Sequence, residues 1–236
     1  MKIMVDSSYL SEILSEFISY LISATNSDGD RIPPLAELSK ELNVSTATLR
    51  EQLEVARALG LVEVRPRTGI RRLPYNFLPA VQQSLAYAVS IESNHFYEFS
   101  DLRNQIETSY WYKAVILLTE EDKARLIGLV QRAKSKLNRP NIQIPHQEHK
   151  ELHLIIYSRL NNVFVKGILE AYWVIYEEAG LDVYTDITYL ESVWNYHEKI
   201  VDAICAENYA VGYQALLDHL DLLQQRPKTN SRQRFE

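Results

Sequence analysis

The chain has 236 residues, 46% of them hydrophobic and 24% charged, which suits one large or two modest domains with a core that needs no staples. Its one cysteine, Cys205, excludes an intrachain disulfide framework and suits a reducing, cytoplasmic setting; no apolar run nears the roughly 20 residues of a membrane span, and Met1-Lys-Ile-Met-Val-Asp6 lacks the parts of a signal peptide. The formal net charge of −6 excludes a molecule that is basic overall, so any contact with a polyanion must rest on local clusters.

In chain order, Tyr9 to Ala24 reads as a helix with Leu10, Ile13, Leu14, Phe17, Ile18, Leu21 and Ile22 on its apolar face. Asn26 to Asp30 is a turn, and Ile32-Pro33-Pro34 leads into the next helix, since proline favours a helix start. Leu35 to Leu42 carries Leu35, Leu38 and Leu42 at helical spacing. Asn43 tolerates the left-handed conformation that ends a helix, Val44 can staple the corner, and Ser45 or Thr46 can cap a second helix bearing Leu49, Leu53 and Ala56. Gly60 stops that helix. Val62 to Arg65 alternates like a strand, Pro66-Arg67-Thr68-Gly69 is a turn, and Ile70 to Leu73 returns. Helix, turn, helix and hairpin make a winged helix-turn-helix, whose second helix can enter a DNA major groove. Arg65, Arg67, Arg71 and Arg72 cluster on the hairpin, where a wing meets phosphate or the minor groove, and Gly69 permits its turn. A plain helical hairpin with a solvated charged turn is the alternative.

The segment from Gly29 to Leu53, with Leu59-Gly60-Leu61-Val62 and the Gly69 wing, resembles the DNA-binding domain of GntR-family transcriptional regulators; Leu49-Arg50-Glu51 stands at the core of the recognition helix. The chain departs from the family's pattern at Pro34, Thr46 and Ala36, which implies an operator unlike the family's commonest one. On this resemblance Thr46, Thr48 and Arg50 are the expected recognition-helix contacts, and a homodimer reading two symmetric half-sites of double-stranded DNA is expected.

The expected boundaries are a DNA-binding domain at 1–75, a linker at 76–79, an all-α effector and dimerisation domain at 80–226, and a polar tail at 227–236. Helices are expected at Phe96–Leu118, from Thr119 to about Leu137 with Thr119-Glu-Glu-Asp122 as capping signal, at His146–Leu160, Val163–Ala179, Thr188–Ala206 and Tyr209–Gln225. Asn138 to Asn141 and Gly180 are breakers.

Four of the six histidines fall on three of these helices. His149 and His153 share one face, and His197 and His219 lie on the last two. Three helices of a bundle can therefore aim imidazoles into one cavity, and imidazole suits zinc, nickel and copper; isolated buried or exposed histidines are the alternative. The segment from Asp101 onward resembles the FCD-type effector domain of the FadR subfamily: Arg103 and Glu107 match its Arg-x-x-x-Glu pattern, His149 and His153 fall on its Asp-x-x-x-His pattern, Asn162 on the asparagine that follows, and His197 and His219 on its later histidines. The resemblance implies a divalent metal on His149, His153, His197 and His219, or on the last three with His149 standing aside, and a small organic acid as effector near Arg103, Glu107 and Asn162. Histidine in place of the family's aspartate at 149 lowers the site's negative charge by one and favours Zn or Ni over Mn²⁺ or Mg²⁺. Tyr110, Tyr172, Trp173, Tyr176, Trp194 and Tyr196 are candidates to line the cavity, or plain core.

Two rival readings are a metal-dependent hydrolase and a metal-independent sensor of a bulkier ligand. For the hydrolase, His149-Lys-Glu-Leu-His153 is similar to a zincin signature, but Lys150 stands where the glutamate belongs, and neither a phosphate loop nor a nucleophile elbow is present. The expectation is therefore a mainly α regulator without enzymatic activity, repressing from an operator, whose affinity for that operator changes when its ligand shifts the two DNA-binding domains.

Overall fold

The computed structural model describes residues 13–24, 30–138, 142–178 and 186–225, and divides into two units, residues 1–83 and 84–236. The described residues form ten helices and three short strands.

In the first unit, α1 (Glu16–Ser23) starts after Ser15, whose backbone is extended and whose Oγ accepts the Ile18 N–H at 3.4 Å. The single helix expected over Tyr9–Ala24 therefore does not run through Ser15. A hydroxyl that can cap the backbone competes with helix continuation there, and residues 9–12 lie outside the described residues. The Asn26–Asp30 turn also lies outside them, apart from Asp30.

α2 (Leu35–Leu42) ends at Asn43, whose φ of 55° and ψ of 40° are left-handed. α3 (Thr46–Ala58) opens on Ser45, whose Oγ accepts the Thr48 N–H at 3.1 Å. Between the two expected caps, Ser45 takes the role. β1 (Arg31–Ile32), β2 (Val62–Arg65) and β3 (Gly69–Arg72) form an antiparallel sheet in the order β1-β3-β2, with Ile32 opposite Ile70 and Arg65 opposite Gly69. Phe17, Leu21, Leu38, Leu49, Leu53 and Ile70 close the core between helices and sheet, so the apolar face of α3 is consumed inside and its polar face is left outside.

α4 (Leu78–Ile91) begins two residues before the expected Ala80. Pro79 sits in its first turn, where a missing N–H costs nothing. Gly60, at φ +70°, allows the close approach of this turn: a Cβ there would lie 2.6 Å from Pro79 Cγ.

The second unit holds α5 (Asn94–Val115), α6 (Glu120–Leu137), α7 (His146–Ile156), α8 (Val163–Glu178), α9 (Ile187–Cys205) and α10 (Tyr209–Gln225). α9 packs on α10 and α6, α6 on α7, and α5 on α10 and α8. Trp111, Leu126, Leu152, Ile156, Ile200 and Ile204 are buried at the centre. The Trp111 indole finds its acceptor at the Tyr209 carbonyl, 2.9 Å away. α5 and α7 end three to four residues short of the expected Leu118 and Leu160, each in a turn. Tyr157, in the turn after α7, donates its hydroxyl proton to the Glu107 carbonyl at 2.9 Å. The breakers at 139–141 and 180 and the 227–236 tail lie outside the described residues.

The capping signal at Thr119 is present in full. Thr119 Oγ1 accepts the Asp122 N–H, and the Asp122 carboxylate accepts the Thr119 N–H at 3.0 Å and two bonds from the Arg159 guanidinium at 2.8 and 3.1 Å. Arg159 holds this carboxyl well below the ordinary aspartate range, helped by the Thr119 bonds and opposed by burial. Asp122→Ala is expected to lower stability by about 1–2 kcal/mol through loss of the cap, read as a melting temperature lower by roughly 2–8 °C. A carboxyl with a depressed folded-state pKa stabilises fully above its unfolded value and loses that contribution as pH falls below it. The gap between wild type and variant is therefore expected to narrow below about pH 4; a gap that widens there would contradict the assignment.

Candidate metal centre and nucleic-acid interface

Four histidines on three helices converge: His149 and His153 from α7, His197 from α9 and His219 from α10 can each offer one ring nitrogen, all within 4.8 Å of one another. The i,i+4 spacing on α7 puts its two rings on one face, 5.1 Å apart between centroids. His153 Nε2 lies 3.2 Å from both His197 Nε2 and His219 Nε2. His153, His197 and His219 are buried, and His149 is half-buried. Burial drives the imidazolium form of all four well below its ordinary range, with mutual repulsion and Arg103 adding to it. The four rings are thus neutral at physiological pH, the form that ligates metal.

Arg103 and Glu107 belong to the same site. Both are buried on α5 and pair at 2.8 Å. Arg103 Nη2 also lies 2.9 Å from His153 Nδ1, and Glu107 Oε2 lies 3.1 Å from the same atom. Two tautomers of His153 follow. If Nδ1 accepts from Arg103, Nε2 carries the proton; if Nδ1–H donates to Glu107, Nε2 is free as a ligand. Burial raises the Glu107 carboxyl to about 7, with Arg103 pulling it down. Tyr172 stacks under the guanidinium at 4.7 Å, and Asn104 accepts from it at 3.1 Å.

The aromatic candidates divide. Trp173 stands edge-on to His149 at 4.7 Å, Trp194 lies 4.8 Å from His197, and Tyr176 lies 6.4 Å from His149. Tyr196 instead stacks with Lys199, and Tyr110 accepts from Asn162. Asn162, expected beside the effector, caps the start of α8: its Oδ1 accepts the Phe164 and Val165 N–H groups. The structure brings Arg103 and Glu107 to the histidines and gives Asn162 a capping role at the start of α8. Glu151, the carboxylate nearest a zincin pattern, accepts from Gln147 at 2.7 Å. The sequence reading missed the neighbouring Asn104, for which spacing gave no signal.

The four neutral donors fit a borderline divalent ion such as Zn²⁺ or Ni²⁺. His153 has a carboxylate behind it in Glu107, the outer partner that orients a ligating imidazole.

On the first unit, Thr48 and Arg50 are exposed on α3, and Thr46 is half-buried at its start. Thr48 Oγ1 lies 2.8 Å from Ser45 Oγ, within the cap. At the wing, Arg67 holds a left-handed φ of 68° and Gly69 one of 80°. Arg67 and Arg71 are exposed. Arg65 pairs with Glu63 at 2.9 Å. Arg72 turns toward the body of the unit, donating to the Leu21 carbonyl at 3.2 Å and standing 3.8 Å from Asp30.

Comparison with known proteins is consistent across both units. The model of bacterial regulatory proteins of the gntR family matches residues 12–71, and the FCD domain model matches residues 98–222, more than half of the chain by itself. The chain is similar to the HTH-type transcriptional regulator LutR of Bacillus subtilis, 22% identical over 197 residues, covering 81% of this chain and 89% of that protein. It is also similar to the Uxu operon transcriptional regulator of Escherichia coli, 24% identical over 211 residues and covering 87% and 81%. Among solved structures, Streptococcus agalactiae GntR shares the fold with a TM-score of 0.61 at 16% identity, covering 89% of this chain and 95% of that one. The chain belongs to the GntR family of DNA-binding transcriptional regulators, with an FCD domain as its C-terminal effector unit.

Proposed function

We propose that this regulator, a cytoplasmic member of the FadR subfamily, binds a palindromic operator as a homodimer and represses from it. Its effector domain holds a divalent transition metal, Zn or Ni by donor softness, on His149, His153, His197 and His219, and answers to a small organic acid that reaches the same cavity. The observation that carries the reading is the convergence of four neutral imidazoles within 4.8 Å in a chain whose other unit presents an exposed Arg50 helix and an arginine-bearing wing. Two-fold symmetry of the protein mirrors two half-sites in the DNA. Bound there, a metal ion supplies a fixed positive charge that can hold a carboxylate. Arg103, paired with Glu107 and 2.9 Å from His153 Nδ1, is a second anchor for such an acid.

Elemental analysis of untagged protein purified without chelator is the test, with sedimentation to read its oligomeric state. One ion per chain in a dimer that shifts a palindromic operator is the expected result. A chain that takes up neither zinc nor nickel would point to a bulkier, metal-independent ligand, with the DNA-binding role intact.

A further inference from the structure

We propose that the short strand β1 adds a DNA-phosphate contact to this regulator: Arg31, set against Arg71 on the outer face of the sheet, forms with it a patch that grips the backbone beside the wing. This rests on the DNA-binding reading given above and adds a residue outside both the recognition helix and the hairpin.

Side chains alternate between the two faces of a sheet, so the buried positions show which face the others occupy. Ile32 and Ile70 stand opposite one another and are buried, as is Val62 opposite Arg72. Arg31, Arg71, Glu63 and Arg65 therefore share the other face. There Arg31 is opposite Arg71, Arg71 opposite Glu63, and Arg65 opposite Gly69. Arg31 and Arg71 are both exposed.

The ladder makes the two arginines a close pair. The Arg72 N–H donates to the Asp30 carbonyl at 2.7 Å, so 30 and 72 form a wide, hydrogen-bonded pair. Arg31 and Arg71 are then a narrow pair, with Cα atoms about 4.5 Å apart. On the other side of β3, the Leu73 N–H donates to the Leu61 carbonyl at 2.8 Å. Two residues along, Glu63 and Arg71 are again a wide pair, at about 5.5 Å. The backbone thus sets Arg71 closer to a like charge than to an acid. That acid is also taken, since the Glu63 carboxylate accepts from Arg65 Nε at 3.0 Å and pairs with its Nη2 at 2.9 Å. Asp30, next to Arg31, stands 3.8 Å from Arg72. Among the described residues no ion pair or side-chain hydrogen bond holds Arg31 or Arg71.

Arg31, Arg65 and Arg71 against Glu63 leave this face with a surplus of positive charge, and like charges directly opposite one another destabilise a sheet. An anion between the two guanidiniums removes that repulsion and can accept paired bonds from each. In a chain of net charge −6 a polyanion is held only where such a local surplus exists. The DNA backbone supplies the anion, and it must run past the wing when α3 enters a groove.

A phosphate contact is blind to sequence, so the test needs no operator. Full-length wild type and Arg31→Gln are titrated onto a fluorescein-labelled duplex of mixed sequence over a series of salt concentrations. Each phosphate contact contributes about 0.9 to the slope of log affinity on log salt. Arg31→Gln is therefore expected to flatten that slope by about 0.9 per chain and to weaken binding about eightfold per chain at about 0.1 M salt. Arg31→Lys should retain most of both. The melting temperature of Arg31→Gln should not fall, because the substitution relieves a repulsion. Arg125→Gln removes an exposed arginine of α6 in the second unit; it controls for net charge and should leave slope and affinity unchanged. An Arg31→Gln protein that binds no more weakly than Arg125→Gln would overturn the contact while leaving DNA binding by α3 and the wing intact. Wild-type protein with no salt-dependent affinity for the duplex would overturn the contact and the DNA-binding reading together.

Discussion

Arg50→Ala is expected to reduce operator affinity to the level of unrelated DNA while leaving the melting temperature unchanged. Arg50 is exposed on α3, outside the buried stripe of Leu49 and Leu53, and no hydrogen bond or ion pair holds its guanidinium among the described residues. Its removal therefore costs the fold almost nothing. An arginine donating two bonds to a guanine edge contributes roughly tenfold to hundredfold discrimination, and a dimer applies that factor at both half-sites. Fluorescence anisotropy with operator and scrambled duplexes separates the losses: the operator curve should collapse onto the scrambled one, which should barely move. Undiminished operator affinity would remove Arg50 from the interface. Arg72→Ala provides the contrast. Its guanidinium donates to the Leu21 carbonyl and faces Asp30, so its loss should lower stability as well as phosphate contact. Arg67 has a different sensitivity, because its left-handed φ fits glycine better than alanine. Its substitution changes the wing's path along with its charge.

How much of this was legible in the sequence depends on the range of the interaction. The two motif helices, the Ser45 cap and the Thr119–Asp122 capping box were readable because each is decided within four residues. The strand Arg31–Ile32 was not. Two residues carry no period, and the strand exists because β3 lies beside it. The break at Ser15 hides inside an apolar periodicity that runs on across it. At the site, the spacing of His149 and His153 fixed a shared face; their meeting with His197 and His219 is a matter of helix packing, which the placement of the histidines on three helices allowed and the family resemblance sharpened. The same resemblance set Asn162 with the effector and gave no sign that its side chain caps α8. The i,i+4 spacing of Arg103 and Glu107 allowed their pairing on α5, but nothing in the sequence showed that both reach His153. That contact depends on α5 and α7 being brought together, which no local pattern encodes.

His197→Ala combined with His219→Ala is expected to abolish metal uptake and, with it, thermal stabilisation by added metal. These two rings suit the experiment better than the other pair. They lie on neighbouring helices with centroids 4.2 Å apart, both buried, and each Nδ1 is unpartnered, so no protein hydrogen bond from that atom is lost with the ring. His153 is less clean, since its removal also strips Arg103 and Glu107 of a partner. Wild-type protein at a free metal concentration a hundred times its dissociation constant gains about 2.7 kcal/mol, equivalent to a rise of roughly 5–10 °C in melting temperature for a chain of this size. The double variant retains two of the four donors, on one turn of α7, too few to hold an ion against water and buffer. Its melting temperature is expected to be the same with and without nickel or zinc, and elemental analysis to find no bound ion. Comparing each protein with its own metal-free form removes the cost of the cavities left by the two truncations, which lowers both arms of the variant equally. Metal content equal to wild type would place the ion elsewhere in the chain. A variant that loses its metal yet still gains several degrees from nickel would mean that the stabilisation arises at a second site.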